Sequence, residues 1–156
     1  MPPSPPADPF LAAAIAEAET GREEGGIPIG SVLVLDGEIV GRGHNRRVQD
    51  GSAVLHAEID CLANAGRRTA AEYARATIYS TLSPCDMCSG AILLFGIPRV
   101  VVGENRTFRG PEEYVRSRGV EIQIADDATC VAMMRRFVSD HPELWSEDIG
   151  EDPASR

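Results

Sequence analysis

The 156 residues amount to about one domain, and a content of 43% hydrophobic and 25% charged side chains suits a soluble globular protein with one sizeable core. Global disorder and a second catalytic domain are both excluded. Fifteen Lys and Arg against 24 Asp and Glu give a net charge of −9, a surface that repels the phosphates of nucleic acid and of anionic lipid.

Five of the eleven prolines fall within the first nine residues, so residues 1–7 are expected to be a disordered tail. The apolar run from Phe10 to Ala16 has no basic residue ahead of it and does not read as a secretory signal. Asp8 and Pro9 form an N-cap and first helical residue, opening a helix to about Glu24 that stops at Gly25-Gly26. Ser31–Leu35 and Glu38–Gly43 flank Asp36-Gly37, a two-residue turn suited to an antiparallel hairpin. Gly43 to Val54 reads as loop, followed by a helix from about Leu55 that ends at Gly66. A short strand at Thr77–Ser80 breaks at Leu82-Ser83-Pro84, and a helix runs from about Cys85 to Phe95, with Gly96 as its stop. A strand at Arg99–Val102, a short helix begun by Pro111, a strand at Val120–Ile124 and a helix from about Asp127 to Val138 follow. The last seventeen residues are acidic, with Trp145 and Ile149 as apolar anchors.

This order predicts an α/β fold in which a mixed sheet of about five strands is covered by helices on both faces. Residues 8–150 form the domain and 151–156 a short acidic tail. No apolar stretch reaches the roughly 18–20 residues that span a bilayer, so no membrane partner is expected. Four cysteines in a chain this size need no disulfide framework, and a reduced, cytoplasmic setting is the default.

Cys85-Asp86-Met87-Cys88 places two thiols three apart on the first turn of a helix, where Cβ atoms lie ~5–6 Å apart. Two zinc-bound sulfurs sit roughly 3.7 Å apart in tetrahedral geometry, a spacing this pair can supply. The helix N-terminus also favours the thiolates. By itself the pair fits metal binding, redox chemistry or buried thiols. His56-Ala57-Glu58, at the start of another helix, supplies the candidate partner, although a lone His or a first-turn Glu is more often structural. Together, His-x-Glu upstream of Pro-Cys-x-x-Cys is the signature of zinc nucleobase deaminases. Three protein ligands leave a fourth tetrahedral position open to water, and Glu58 beside it would shuttle protons.

On these residues the chain resembles the yeast-type cytosine deaminases of the cytidine deaminase-like superfamily. The likeness extends through Glu24-Gly25-Gly26-Ile27-Pro28-Ile29-Gly30, Gly41-Arg42-Gly43-His44-Asn45, Thr81-Leu82-Ser83-Pro84, Gly96-Ile97-Pro98-Arg99, Val101-Val102-Gly103-Glu104-Asn105, and Trp145 with Glu147-Asp148-Ile149-Gly150-Glu151. The resemblance implies a three-layer α/β/α sandwich, a homodimer and hydrolysis of a free base such as cytosine to uracil and ammonia. Zinc would be held by His56, Cys85 and Cys88, with Glu58 as the catalytic proton shuttle. Asn45 matches a residue that hydrogen-bonds the pyrimidine, and Asp148 one that receives its exocyclic amine. Phe108 and Trp145 match aromatic walls, and Ile29 an apolar pocket residue. Taken singly, Asn45 also reads as a turn residue, Phe108 and Trp145 as core, and Asp148 as a tail charge. Val48 and Ser146 stand where the family pattern has aromatics, which implies a roomier pocket and keeps isocytosine, triazines, creatinine and isoguanine open as substrates.

Two other readings remain. A tRNA adenosine deaminase shares the zinc motifs, but the acidic charge disfavours RNA as a partner. A structural zinc module would need a fourth ligand from Cys61, Cys130, His44 or His141. A dithiol redox role for Cys85 and Cys88 leaves Glu58 unexplained.

Overall fold

The computed structural model describes residues 6–152. Of the two expected tails, residues 1–5 and 153–156 lie outside that range.

The helices are α1 (Pro9–Glu23), α2 (Arg47–Asp50), α3 (Ala57–Ala65), α4 (Ala70–Tyr73), α5 (Asp86–Phe95), α6 (Glu112–Ser117), α7 (Ala128–Asp140) and α8 (Pro142–Asp148). The strands are β1 (Gly30–Leu35), β2 (Glu38–His44), β3 (Ala76–Leu82), β4 (Arg99–Glu104) and β5 (Glu121–Ile124), in the sheet order β2-β1-β3-β4-β5. β1 runs antiparallel to β2 and β3, whereas β3, β4 and β5 are parallel. The hairpin turns where the sequence placed it: Asp36 and Gly37 take positive φ of 52° and 80°, the pair that a type I′ turn requires.

β1 is buried along its whole length, as the apolar run Val32–Leu35 dictates for a strand covered on both faces, and the buried Ser31 hydroxyl donates to the Tyr79 carbonyl. Alternate side chains serve opposite layers. Val32 and Val34 join Tyr79 and Val101 under Leu11 and Ala14 of α1. Leu33, Ile78, Val100 and Val102 pack with Leu62 of α3 and Ile92 of α5 on the other side. The result is the expected three-layer α/β/α sandwich. A third cluster, Ile27, Ile29, Ala57 and Leu82 with Met134 and Phe137 of α7 and Trp145 of α8, closes one end of the sheet.

Several local expectations need correction. The stretch expected to be loop from Gly43 to Val54 contains the single turn α2, and β3 extends beyond Thr77–Ser80 because its flanks pair with β1 and β4. The acidic C-terminal stretch, for which no helix was expected, forms α8, held by the burial of the expected anchor Trp145. Such a short helix is marginal in isolation and owes its stability to packing.

The two motif helices start near the same end of the sheet. His56 is the N-cap of α3 and Cys85 that of α5, both in extended backbone with no side-chain cap bond, so the imidazole and the thiol are free to turn toward each other. Gly96 ends α5 in the left-handed region at φ 72°, the position only a residue without Cβ occupies at no cost.

Candidate active site

The ligating atoms of His56, Cys85 and Cys88 all lie within 4.8 Å of one another, the one such His/Cys/Asp/Glu group among the described residues. Cys85 Sγ stands 3.4 Å from His56 Nδ1, close to the roughly 3.6 Å edge of a tetrahedron with Zn–S and Zn–N bonds. His56 Nε2 faces Asp148 Oδ1 at 3.3 Å, which leaves Nδ1 as the nitrogen that meets the sulfurs. The donor set therefore fits zinc. The residues proposed from sequence as a fourth ligand are committed elsewhere. His44 is clasped between Glu17 and Glu24 at 2.9 and 2.8 Å, His141 packs on Phe137, Cys61 lies in the main core, and Cys130 abuts Gly103.

The electrostatics couple the three ligands. Burial opposes a charge on His56, but the Asp148 carboxylate and the Cys85 sulfur outweigh it and hold the imidazolium up to about 10. The Cys88 thiol, against burial, and then His56 bring Cys85 down to about 4. Cys88 itself is pushed up by the Cys85 sulfur and by burial.

Glu58 is buried in the first turn of α3, and its Oε1 accepts a hydrogen bond from the Ser80 hydroxyl of β3. Burial pushes this carboxyl group up, against the Cys88 thiol and Ser80, which both favour its charged form. Ser80 was not singled out from sequence. Ser80 stands between Tyr79 and Thr81, so its hydroxyl is one of three in a row and carries no distinguishing signal.

Glu58, His56 and Cys85 share a cavity with Ile29, Phe108, Trp145 and Asp148, and Ala57, Leu82, Ser83 and Ile149 complete its lining. Phe108 meets Trp145 edge-on, with ring centroids 6.0 Å apart and planes at 84°. Asn45 stands behind this wall. Fully buried, it donates from Nδ2 to both Asp148 oxygens at 3.3 and 3.4 Å and accepts at Oδ1 from the Arg47 backbone N–H at 2.9 Å. Neither Val48, 41% exposed on α2, nor the buried Ser146 lines the cavity. The free space among the lining side chains is about 20 Å³, and it adjoins a wider groove that shares His56, Cys85, Phe108, Asp148 and Ile149 with it and runs past Met87, Arg109 and Gly150.

Residues 6–104 match the cytidine and deoxycytidylate deaminase zinc-binding region. The chain is 48% identical over 142 residues to the cytosine deaminase of Candida albicans, covering 90% of this chain and 95% of that protein. It is 42% identical over 105 residues to a tRNA-specific adenosine deaminase of Streptococcus pyogenes, 66% of each. Among solved structures, a tRNA:A34 deaminase superposes with a TM-score of 0.68 at 27% identity, over 80% of this chain and 97% of the other. A guanine deaminase from Nitrosomonas europaea shares the fold, with a TM-score of 0.73 at 19% identity over 88% and 87% of the chains.

Proposed function

The chain belongs to the cytidine and deoxycytidylate deaminase family, in its yeast-type cytosine deaminase branch, and we propose that it is a zinc-dependent aminohydrolase converting free cytosine and water to uracil and ammonia. The domain would span residues 8–150. The observation that carries the reading is a buried carboxyl group, Glu58, in one cavity with His56 and Cys85 of the His/Cys/Cys donor set and with the edge-on pair Phe108 and Trp145.

His56, Cys85 and Cys88 would hold zinc, which when bound supplies the Lewis acidity that makes water nucleophilic near neutral pH. Glu58 accepts a proton from the attacking water, delivers it to the ring nitrogen beside the amine-bearing carbon, and protonates the departing amine in a second transfer. Ser80 holds the Glu58 carboxyl group in place. Asp148 turns one oxygen to His56 and offers the exocyclic amine an acceptor from the cavity wall. Asn45 Nδ2 carries a second N–H, the donor that a pyrimidine carbonyl requires. Phe108, Trp145 and Ile29 enclose the ring and exclude water.

The similarity to tRNA-specific adenosine deaminases favours RNA as the competing substrate. The net charge of −9 and the seating of Trp145 and Ile149 of the C-terminal segment on the cavity weigh against it. A homodimer is supported by apolar exposure on α5 and α6, where Leu94 is 78% exposed and Met87, Phe95 and Tyr114 stand open beside it. No helix among the described residues is long and apolar enough to cross a membrane. Four free cysteines support a reduced cytoplasmic setting, and the reaction would serve pyrimidine salvage.

The test is ammonia release by the zinc-loaded protein from cytosine, isocytosine, guanine, isoguanine, adenine, creatinine, an aminotriazine and cytidine. Cytosine is expected to be the preferred substrate. Turnover of cytidine alone, or of none of these, overturns the reading, and sedimentation at micromolar concentration decides the dimer.

A further inference from the structure

We infer that Glu104 and Glu112 are positioning residues for the deamination, because together they fix the loop 105–111 that carries Phe108 into the pocket. The inference rests on the reading of Phe108 as a wall for the base.

Glu104 ends β4 and is 0% exposed. Its Oε2 accepts from the backbone N–H groups of Arg106 at 2.7 Å and Thr107 at 2.9 Å, the two residues before Phe108. Its Oε1 has no hydrogen-bond partner among the described residues. A half-paired buried carboxyl group is a cost to folding that an apolar side chain would avoid. What it adds is a single acceptor point for two consecutive N–H groups of a turn that would otherwise be unpaired.

Glu112 grips the loop from its other end. Its Oε2 accepts from Ser83 Oγ at 2.6 Å, Asn105 Nδ2 reaches both of its oxygens at 3.2 and 3.3 Å, and Arg109 Nε lies 3.4 Å from Oε1. Ser83 Oγ in turn accepts from the Gly110 N–H at 3.0 Å, and the Ser83 N–H donates to the Glu104 carbonyl at 3.0 Å. Gly110 leaves no slack: a Cβ there would lie 1.8 Å from the Pro84 carbonyl oxygen. The loop is therefore pinned at 105, 106, 107, 109 and 110, and through Ser83 it is tied to the segment that delivers Cys85. The position of the Phe108 ring relative to the zinc ligands is set by these two carboxyl groups, neither of which lines the pocket.

The experiment is a double-mutant cycle on the zinc-loaded full chain: Glu104→Met, which removes the acceptor oxygen, and Glu112→Gln, each alone and with Phe108→Ala. The readouts are KM and kcat for cytosine, zinc content, and emission of Trp145, the sole tryptophan. Each of the two variants is expected to raise KM about tenfold, to change kcat by less than about threefold, and to shift Trp145 emission to the red while zinc is retained. With Phe108→Ala already present, the same substitutions should add nothing to KM. Unchanged KM in both variants, or equal increases with and without Phe108, overturns the inference, since equal increases mark general loosening. Should these variants not fold, Asn105→Ala, which removes only one partner of Glu112, enters the same cycle. If the wild-type chain releases no ammonia from cytosine, the proposed function falls, whereas the Trp145 shift still decides the clamp: a red shift sustains it and an unmoved spectrum ends it.

Discussion

Replacing Asp148 tests whether the C-terminal helix takes part in metal binding. Asp148 Oδ1 lies 3.3 Å from His56 Nε2, 3.3 Å from Asn45 Nδ2 and 3.9 Å from Arg47 Nη1, so one oxygen at the end of α8 serves three partners. With zinc bound, the imidazole is neutral, its Nδ1 lone pair is engaged, and its Nε2–H points to Asp148. An ionised acceptor contributes about 1.5–3 kcal/mol to such a bond and a neutral one about 0.5–1.5. A separation of 3.3 Å is longer than the roughly 2.7–2.9 Å of a strong charge-assisted pair, which puts the difference at the low end. Asp148→Asn should forfeit about 1 kcal/mol, or about fivefold in zinc Kd. Asp148→Ala removes the orienting partner altogether and should weaken zinc about 10–100-fold. Competition against a chelator of known affinity at fixed pH measures both. If Asp148→Ala binds zinc as tightly as the wild type, His56 is oriented by something else, and the link from α8 to the metal is wrong.

Glu58→Ala should keep one zinc per chain while kcat for ammonia release falls by about 10²–10⁴-fold or more, because its loss removes the proton carrier and leaves the ligands; undiminished turnover would remove Glu58 from the mechanism. Tyr79 donates its hydroxyl to Asp8 at 2.9 Å, and burial, with Asp8 beside it, pushes the phenol up to about 12. Because the folded value lies above the unfolded value of about 10, this stabilisation is whole below pH 10 and is lost as pH climbs through 12. Thermal melts at about pH 9 and about pH 11.5 should show a drop in Tm that Tyr79→Phe lessens, and equal drops in the two proteins would refute the assignment. At Gly43 a Cβ would lie 2.3 Å from the Cys61 amide nitrogen, so Gly43→Ala should force β2 from α3, cost about 1–3 kcal/mol or more in a urea titration, and raise KM by displacing Asn45 two residues on.

The parts of this site that were legible in the sequence are those encoded within one turn of chain. His56 with Glu58, and Cys85 with Cys88, can be read because a helix start fixes how residues two or three apart are presented. Asp36-Gly37 is likewise a local instruction, since few residues other than Gly, Asn and Asp accept the two positive φ values. The contacts between distant segments are of another kind. Asn45 and Asp148 meet across 103 residues, and Ser80 meets Glu58 across 22, so no spacing rule contains them; the resemblance named Asn45 and Asp148 and missed Ser80. α8 escaped notice because its seven residues carry too little periodicity to compete with an acidic composition, and only the burial of Trp145 against the end of the sheet makes it a helix. Glu104 is the sharpest case. After Val100-Val101-Val102-Gly103, a glutamate reads as a strand running out into water, yet it is wholly buried. What keeps it inside is the pair of backbone N–H groups in the turn that follows, and backbone donors are the same whatever the side chains. A sequence reports which residue could bridge such a turn, whereas only the folded chain shows that the turn closes over it and so hands Phe108 to the pocket.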